Sequence, residues 1–364
     1  DGGGERRAGV RDVPKDGSTE ILVAGQGSIY GNYPEFWPKV YRVDVATGKK
    51  RSVLEGRAGV MDWGADHLGN VRMGLSYNDS RLTSRLLYRA DGSGAFKTAD
   101  KSTYGDGSVL TVPFLYLPGG DNALVMQDNA QGMTGIVEVN LSTLEQVRVV
   151  FQPEKGEVSG VIKGHDGVLL GADTTDRNVP VKWFDPALAT LQENFAKSVP
   201  HSRVQIESMN ADRSKMLVRI DSAESPGSIY FFDTKVGVLN KLAAVNEKIG
   251  SKKLAPVKMV QYKARDGLEI EGVLTLPKGR EPKNLPFVVM PHGGPWGHDT
   301  LSYDYWTQFL ASRGYAVLQP NFRGSTGYGT EFIEKGKGQM GFAMQDDISD
   351  GVKWAVEQGI ADPK

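Results

Sequence analysis

Pro286-Phe287-Val288-Val289-Met290-Pro291-His292-Gly293-Gly294-Pro295-Trp296-Gly297-His298 is the stretch from which the fold of this chain can be read. Its apolar first part predicts a strand buried on both faces, and its glycines and prolines predict a tight loop behind that strand. Downstream, Trp306, Phe309 and Leu310 are spaced i, i+3, i+4, which predicts a helix over Asp304 to Arg313 with Gly314 as its stop. Tyr315-Ala316-Val317-Leu318-Gln319 reads as the next buried strand. Ile348, Val352, Ala355 and Val356 then form one helical stripe, with Asp346 and Asp347 in the first turn, where the helix dipole favours them. Upstream, Lys258 to Tyr262 is a short strand and Ala264-Arg265-Asp266-Gly267 a turn, after which Leu268, Ile270, Leu274 and Leu276 alternate along a second strand. Hairpin, strand, helix, strand, helix is the opening of a doubly wound α/β domain, and residues 253–364 are assigned to it.

Residues 1–252 follow a different rhythm. Five short strand-like runs end in Asp44, Asp91, Asn140, Asp185 and Asp233, with gaps of 47, 49, 45 and 48 residues. Turn material follows, such as Ala46-Thr47-Gly48, and then another strand-like run such as Arg51-Ser52-Val53-Leu54. An Asp or Asn suits such a place because its side chain can bond the backbone two residues on. Several strands in a period of ~40–50 residues are the signature of β-propeller blades, so about five blades are expected. The polar, glycine-rich Asp1 to Glu20 reads as a linker or the remains of an earlier blade.

Composition narrows the function. Forty-three basic residues against 44 acidic ones leave a net charge of −1, which gives no footprint for nucleic acid or anionic lipid. No apolar run reaches the ~18 residues of a membrane span. The absence of cysteine excludes a thiol nucleophile, a disulfide scaffold and Cys-based metal sites. His67, His165 and His201 are scattered without ligand spacing. Gly336-Lys337-Gly338-Gln339-Met340-Gly341 spells a dinucleotide fingerprint, but the charged Glu331 to Lys335 precedes it where a strand would be needed. Asp346, Asp347 and Asp350 are read as capping and solvated residues rather than a metal cluster, since adjacent helical positions diverge by about 100°. No cofactor and no metal are inferred.

The chemically loaded segment is the loop after Met290. In serine hydrolases of α/β architecture this loop supplies a backbone N–H to the oxyanion hole, and glycine lets the backbone approach the oxygen closely. From about Val257 to Lys364 the chain resembles the start of the catalytic domain of the prolyl oligopeptidase family of serine peptidases, in its acylaminoacyl-peptidase-like and dipeptidyl-aminopeptidase-like branch. The motifs that carry this are His292-Gly293-Gly294-Pro295, Gly314-Tyr315-Ala316-Val317, Asn321-Phe322-Arg323-Gly324-Ser325-Thr326-Gly327-Tyr328-Gly329, and Gln345-Asp346-Asp347-Ile348-Ser349-Asp350-Gly351-Val352-Lys353-Trp354, ending at Asp362-Pro363-Lys364. A propeller before such a domain is the family's architecture.

The resemblance implies the remaining assignments. The oxyanion-hole candidates are Gly294, whose amide would be the donor, and His292. Other branches place a tyrosine hydroxyl at the position of His292, and without it His292 is expected to shape the loop. Arg323 is expected to brace the active-site floor. Relatives often carry tryptophan where Met340 stands, a change in packing. The family's nucleophile sits on a Gly-x-Ser-x-Gly elbow shortly after the Asp-Pro-Lys segment, with Asp and His later. None of the three is expected here, and Gly-x-Ser-x-Gly occurs nowhere in the 364 residues. Starting without methionine at Asp1, the chain reads as an internal piece of a longer protein, catalytically inert by itself. The expected activity of the intact form is Ser-His-Asp hydrolysis of short peptides, with the propeller as a size filter. Two alternatives stand beside it: an esterase or other acyl hydrolase, and a non-catalytic propeller interaction module.

Overall fold

The structure is a computed structural model that describes residues 7–12, 19–164, 167–177, 180–249 and 254–364. His165, most of the stretch before Glu20 and the expected boundary at 252/253 lie outside them. The chain divides into two compact units, residues 1–129 with 134–181, and residues 130–133 with 182–364.

Three four-stranded antiparallel meanders come first. They are β1 (Arg7–Asp12), β2 (Glu20–Gln26), β3 (Lys39–Asp44) and β4 (Lys50–Leu54); β5 (Val60–Ala65), β6 (Val71–Asn78), β7 (Thr83–Tyr88) and β8 (Lys97–Thr103); and β9 (Pro113–Tyr116), β10 (Asn122–Asp128), β11 (Thr134–Asn140) and β12 (Gln146–Phe151). A three-stranded sheet follows, of β13 (Val158–Lys163), β14 (Leu169–Thr174) and β15 (Val181–Trp183).

Strand alternation gives these sheets two apolar faces. Leu87 of β7 joins Leu22, Val40 and Trp63 in one core, whereas its neighbours Leu86 and Tyr88 join Tyr116, Val125 and Val139 in another. The second sheet is therefore buried from both sides. The Trp63 indole N–H donates to the Pro38 carbonyl at 2.8 Å. Gly74 leaves room for its ring: a Cβ there would lie 2.7 Å from it.

The second unit opens with α1 (Pro186–Ser198), followed by an antiparallel meander of β16 (Arg203–Met209), β17 (Lys215–Ser222), β18 (Ser225–Asp233) and β19 (Val238–Ala244). Next come β20 (Val257–Lys263), β21 (Glu269–Thr275), β22 (Phe287–Val289), α2 (Tyr305–Ser312), β23 (Ala316–Asn321), the short α3 (Thr330–Glu334) and α4 (Ala343–Glu357). The last sheet has the order β20-β21-β23-β22, antiparallel except for the parallel pair β22/β23.

The five repeated Asp and Asn residues all stand at or just after the third strand of their sheet. Asp44 accepts from Ala46 N, Asp91 from Ser93 N, Asn140 from Ser142 N and Asp233 from Lys235 N, each turning the chain into a fourth strand. The fourth repeat departs from the expected strand. Asp185 accepts from Ala187 N and Leu188 N, so it caps α1, which begins with Pro186 and buries Leu188 and Phe195. Proline in the first turn and a capping Asp favour a helix over another hairpin.

Three burial expectations also change. Phe287–Val289 is only half-buried, because β22 pairs on one side alone among the described residues; Ala316–Asn321 is buried throughout. In α2 the inward residues are Thr307, Gln308 and Ala311, while Trp306 and Phe309 are exposed. Gln308 is held inside by three bonds to backbone: it accepts from Ala255 N at 2.8 Å and donates to Ala255 O at 3.0 Å and Ala223 O at 3.3 Å. In α4 the buried line is Met344, Asp347, Asp350, Gly351 and Ala355, with Val352 exposed. The helix meets the sheet at Gly351, where a Cβ would lie 2.9 Å from Leu318 and from the Tyr262 hydroxyl.

Candidate active site

The loop from Met290 to Asp299 leaves the carboxyl end of β22 and lies against Asn321–Thr326 at the end of β23. Its entry is fixed by Met290 N donating to Leu318 O at 2.8 Å. The His292 ring stacks on Phe322, with centroids 4.7 Å apart and planes at 16°. Its Nε2 lies 2.8 Å from Ser325 Oγ and its Nδ1 3.1 Å from Gly293 O. Ser325 is fully buried and donates to Phe322 O at 2.6 Å. Beyond the glycines, Gly297 N donates to Pro295 O at 2.9 Å and Thr326 N to Gly297 O at 3.0 Å.

Gly294 has φ +134° and is followed by a cis bond to Pro295. A Cβ at Gly294 would lie 2.5 Å from Trp296 N, so the main chain would have to move to admit one. Among the described residues the Gly294 N–H has no hydrogen-bond acceptor. An uncommitted amide on a loop held at both ends is what a developing oxyanion needs.

A cleft of about 370 Å³ beside the loop is lined by Met290, His292, Asp299, Trp306 and Gln319, among others. Burial pushes the Asp299 carboxyl above the usual carboxylate range. Asp299 Oδ1 accepts from Gln319 Nε2 at 3.2 Å, while the buried Oδ2 has no partner among the described residues. Burial, and then the charge of His292, holds the His298 imidazole below its ordinary value; its Nδ1 lies 3.0 Å from Thr326 Oγ1.

Arg323 is buried behind this loop. Its Nε and Nη2 reach Asp347 Oδ2 and Oδ1 at 2.8 and 2.7 Å, its own N–H donates to Asp347 Oδ2 at 2.9 Å, and Nη2 lies 2.8 Å from Asp266. Asp350 takes Arg265, and Asp346 pairs with the same guanidinium at 2.8 Å. Asp347 and Asp350 are thus buried partners of arginines, not solvated caps as the sequence had suggested. A carboxylate inside a protein needs such a partner. The structure brings Gly294 and His292 together on one loop and sets Arg323 within the Asn321–Thr326 segment that supports it. Ser325, Asn321 and Asp347 were missed as supports, although all three lie within the quoted motifs. For Asn321 and Ser325 the signal was polar residues at and just after the end of an apolar strand; for Asp347, in a helix, there was none.

Residues 301–364 match the model of the prolyl oligopeptidase family. The chain is 28% identical over 337 residues to dipeptidyl aminopeptidase BIII of Pseudoxanthomonas mexicana, covering 89% of this chain and 48% of that protein. It is 40% identical over 100 residues to the acylamino-acid-releasing enzyme of Sus scrofa, covering 27% of this chain and 13% of that one. A puromycin-hydrolyzing peptidase of Mycobacterium tuberculosis has a similar fold, with a TM-score of 0.62 at 20% identity over 96% of this chain and 56% of its own. The resemblance to the prolyl oligopeptidase family is borne out by sequence and by fold. The chain spans about half the length of the curated relatives that match it over most of its residues.

Proposed function

We propose that the full-length protein is a serine peptidase of the prolyl oligopeptidase family that hydrolyses short peptides. In this reading residues 1–252 form a propeller of about five blades and residues 253–364 the first part of an α/β-hydrolase domain. The nucleophile, general base and orienting acid come from the part of the relatives' length that this chain does not span. A serine attacks the scissile carbonyl, a histidine takes its proton and returns it to the leaving amine, and the Gly294 N–H helps hold the oxyanion. His292 shapes the loop, since its ring nitrogens already face Gly293 O in the loop and Ser325 Oγ in the segment beneath it. Arg323 braces the floor through Asp347.

The observation that carries this reading is the Gly294 amide: it has no acceptor among the described residues, sits at positive φ and follows a strand of an α/β sheet. The test is hydrolysis by the full-length protein of short peptide p-nitroanilides, with free and with acylated N-termini, beside simple esters. Peptide cleavage that a serine-directed phosphonate titrates to one site per chain is expected. Esters cleaved without peptides would favour the acyl-hydrolase alternative, and no turnover or phosphonate uptake at all would leave only the interaction module.

A further inference from the structure

We propose that Asn321 is a positioning residue for the oxyanion loop, fixing where the Gly294 N–H stands by gripping the Asp299 backbone from both sides. The proposal rests on the oxyanion reading of Gly294. Asn321 ends β23 and is 1% exposed. Its Oδ1 accepts from Asp299 N at 2.7 Å, and its Nδ2 donates to Asp299 O at 2.9 Å. The remaining Nδ2 proton goes to the Tyr328 hydroxyl at 2.8 Å, and that hydroxyl donates to Glu271 Oε2 at 3.0 Å. Both amide protons are therefore used, and turning the amide over would set its NH₂ against the Asp299 N–H.

The grip is a substitute for strand pairing. One side chain meets the N–H and the C=O of a single residue, as a neighbouring strand would, so it fixes the rotation of that backbone as well as its place. A single hydrogen bond would leave a hinge. This matters because the two glycines have little packing of their own. Gly293 and Gly294 carry no side chains, and nothing lies within 4 Å of where a Gly293 Cβ would stand. The position of the amide is inherited from the anchors on either side of it: Met290 on β22 and His292 on Phe322 and Ser325 before it, and Gly297 O on Thr326 and Asp299 on Asn321 after it. Aspartate keeps the acceptor but loses both donors. Alanine loses the whole grip.

The test uses the full-length protein with Asn321→Ala, Asn321→Asp, Gly294→Val and the double variant Asn321→Ala/Gly294→Val. Active sites are counted by phosphonate titration and folding is checked by melting temperature. Both Asn321 variants are expected to lower kcat by about 10–100-fold with KM within about twofold, since a displaced donor acts on the transition state. The double variant should be no more than about threefold slower than Gly294→Val, because both changes act through one donor. If the alanine variant melts early, the aspartate variant, of nearly the same volume, decides alone. Unchanged kcat in folded Asn321 variants beside a slow Gly294→Val would overturn the proposal and leave the oxyanion reading standing. Multiplicative losses in the double variant would also overturn it, by placing the action of Asn321 elsewhere. A Gly294→Val enzyme of unchanged kcat would remove the oxyanion reading and this proposal with it.

Discussion

Gly294 combines two requirements that only glycine meets together: a φ of +134° and a main chain 2.5 Å from where a Cβ would stand. If the full-length protein is the peptidase proposed above, Gly294→Val is expected to lower its kcat by about 10²–10³, roughly 2.7–4 kcal/mol, with little change in KM. Steady-state kinetics normalised to titrated sites checks this; a folded variant within a few-fold of the parent would make the loop a structural turn only. Arg323 presents the opposite situation, a charge whose value is structural. Arg323→Met leaves the fully buried Asp347 carboxylate without its bidentate partner, and breaking such a pair costs roughly 3–5 kcal/mol. Denaturant unfolding should show that loss, and a variant within ~1 kcal/mol of the parent would mean that Asp347 finds another partner. The glycine could be read from its neighbours in the chain. The Arg323–Asp347 pair could not, because it joins residues 24 apart and depends on how α4 lies on the sheet.

Helix α1 shows what a periodic reading captures and what it overrides. The spacing of the five Asp and Asn positions located the ends of the third strands, since the same turn chemistry is used at each. It also carried the hairpin expectation through Asp185, although Pro186 and the later Leu188 and Phe195 already spelled a capped helix. Asp185→Ala is expected to cost about 0.5–2 kcal/mol through loss of the cap. The upper end is favoured because Asp185 also pairs with Arg213. Asp185→Asn, which keeps the capping oxygen but loses the ion pair, should recover only the capping share of the loss in thermal unfolding; no recovery would assign the whole effect to the ion pair. Helix α4 was placed correctly, but its buried line includes two aspartates that an apolar pattern cannot reveal. The Arg265 guanidinium, bonded to Asp350, holds that carboxyl below the usual range. Its folded value therefore lies below its unfolded value of ~3.9. The stabilisation is present above the unfolded value and is lost as pH falls through the folded one. Asp350→Asn should accordingly narrow its stability gap to the parent as the pH drops below ~4. A gap that stays constant from neutral pH into that range would show that the ion pair does not contribute.

At the scale of the whole chain, the sheets and the candidate oxyanion loop are specified by different kinds of sequence signal. Alternating apolar residues such as Leu86 and Leu87 are enough to specify a sheet that is buried on both faces, so the repeat and its strands were readable from residue order. Of the candidate site, only one short motif was legible in the sequence; the nucleophile, base and acid that the proposed reaction needs have no motif in it. No Gly-x-Ser-x-Gly occurs in the 364 residues. The serine that meets a histidine, Ser325, is a poor nucleophile on geometric grounds: it is fully buried, and its proton goes to the Phe322 carbonyl rather than to His292. A reactive serine needs an exposed hydroxyl whose proton the histidine can take. Prepared as these 364 residues, the chain is therefore expected to hydrolyse neither peptides nor esters above background and to take up no serine-directed phosphonate. The full-length protein should do both. Far-ultraviolet circular dichroism and a cooperative melt must first show that the shorter chain is folded, since an unfolded chain would be silent for a trivial reason. Mass spectrometry then locates any label, and stoichiometric modification of Ser325 in the folded 364-residue chain would move the nucleophile into this sequence and overturn the assignment of roles around Gly294.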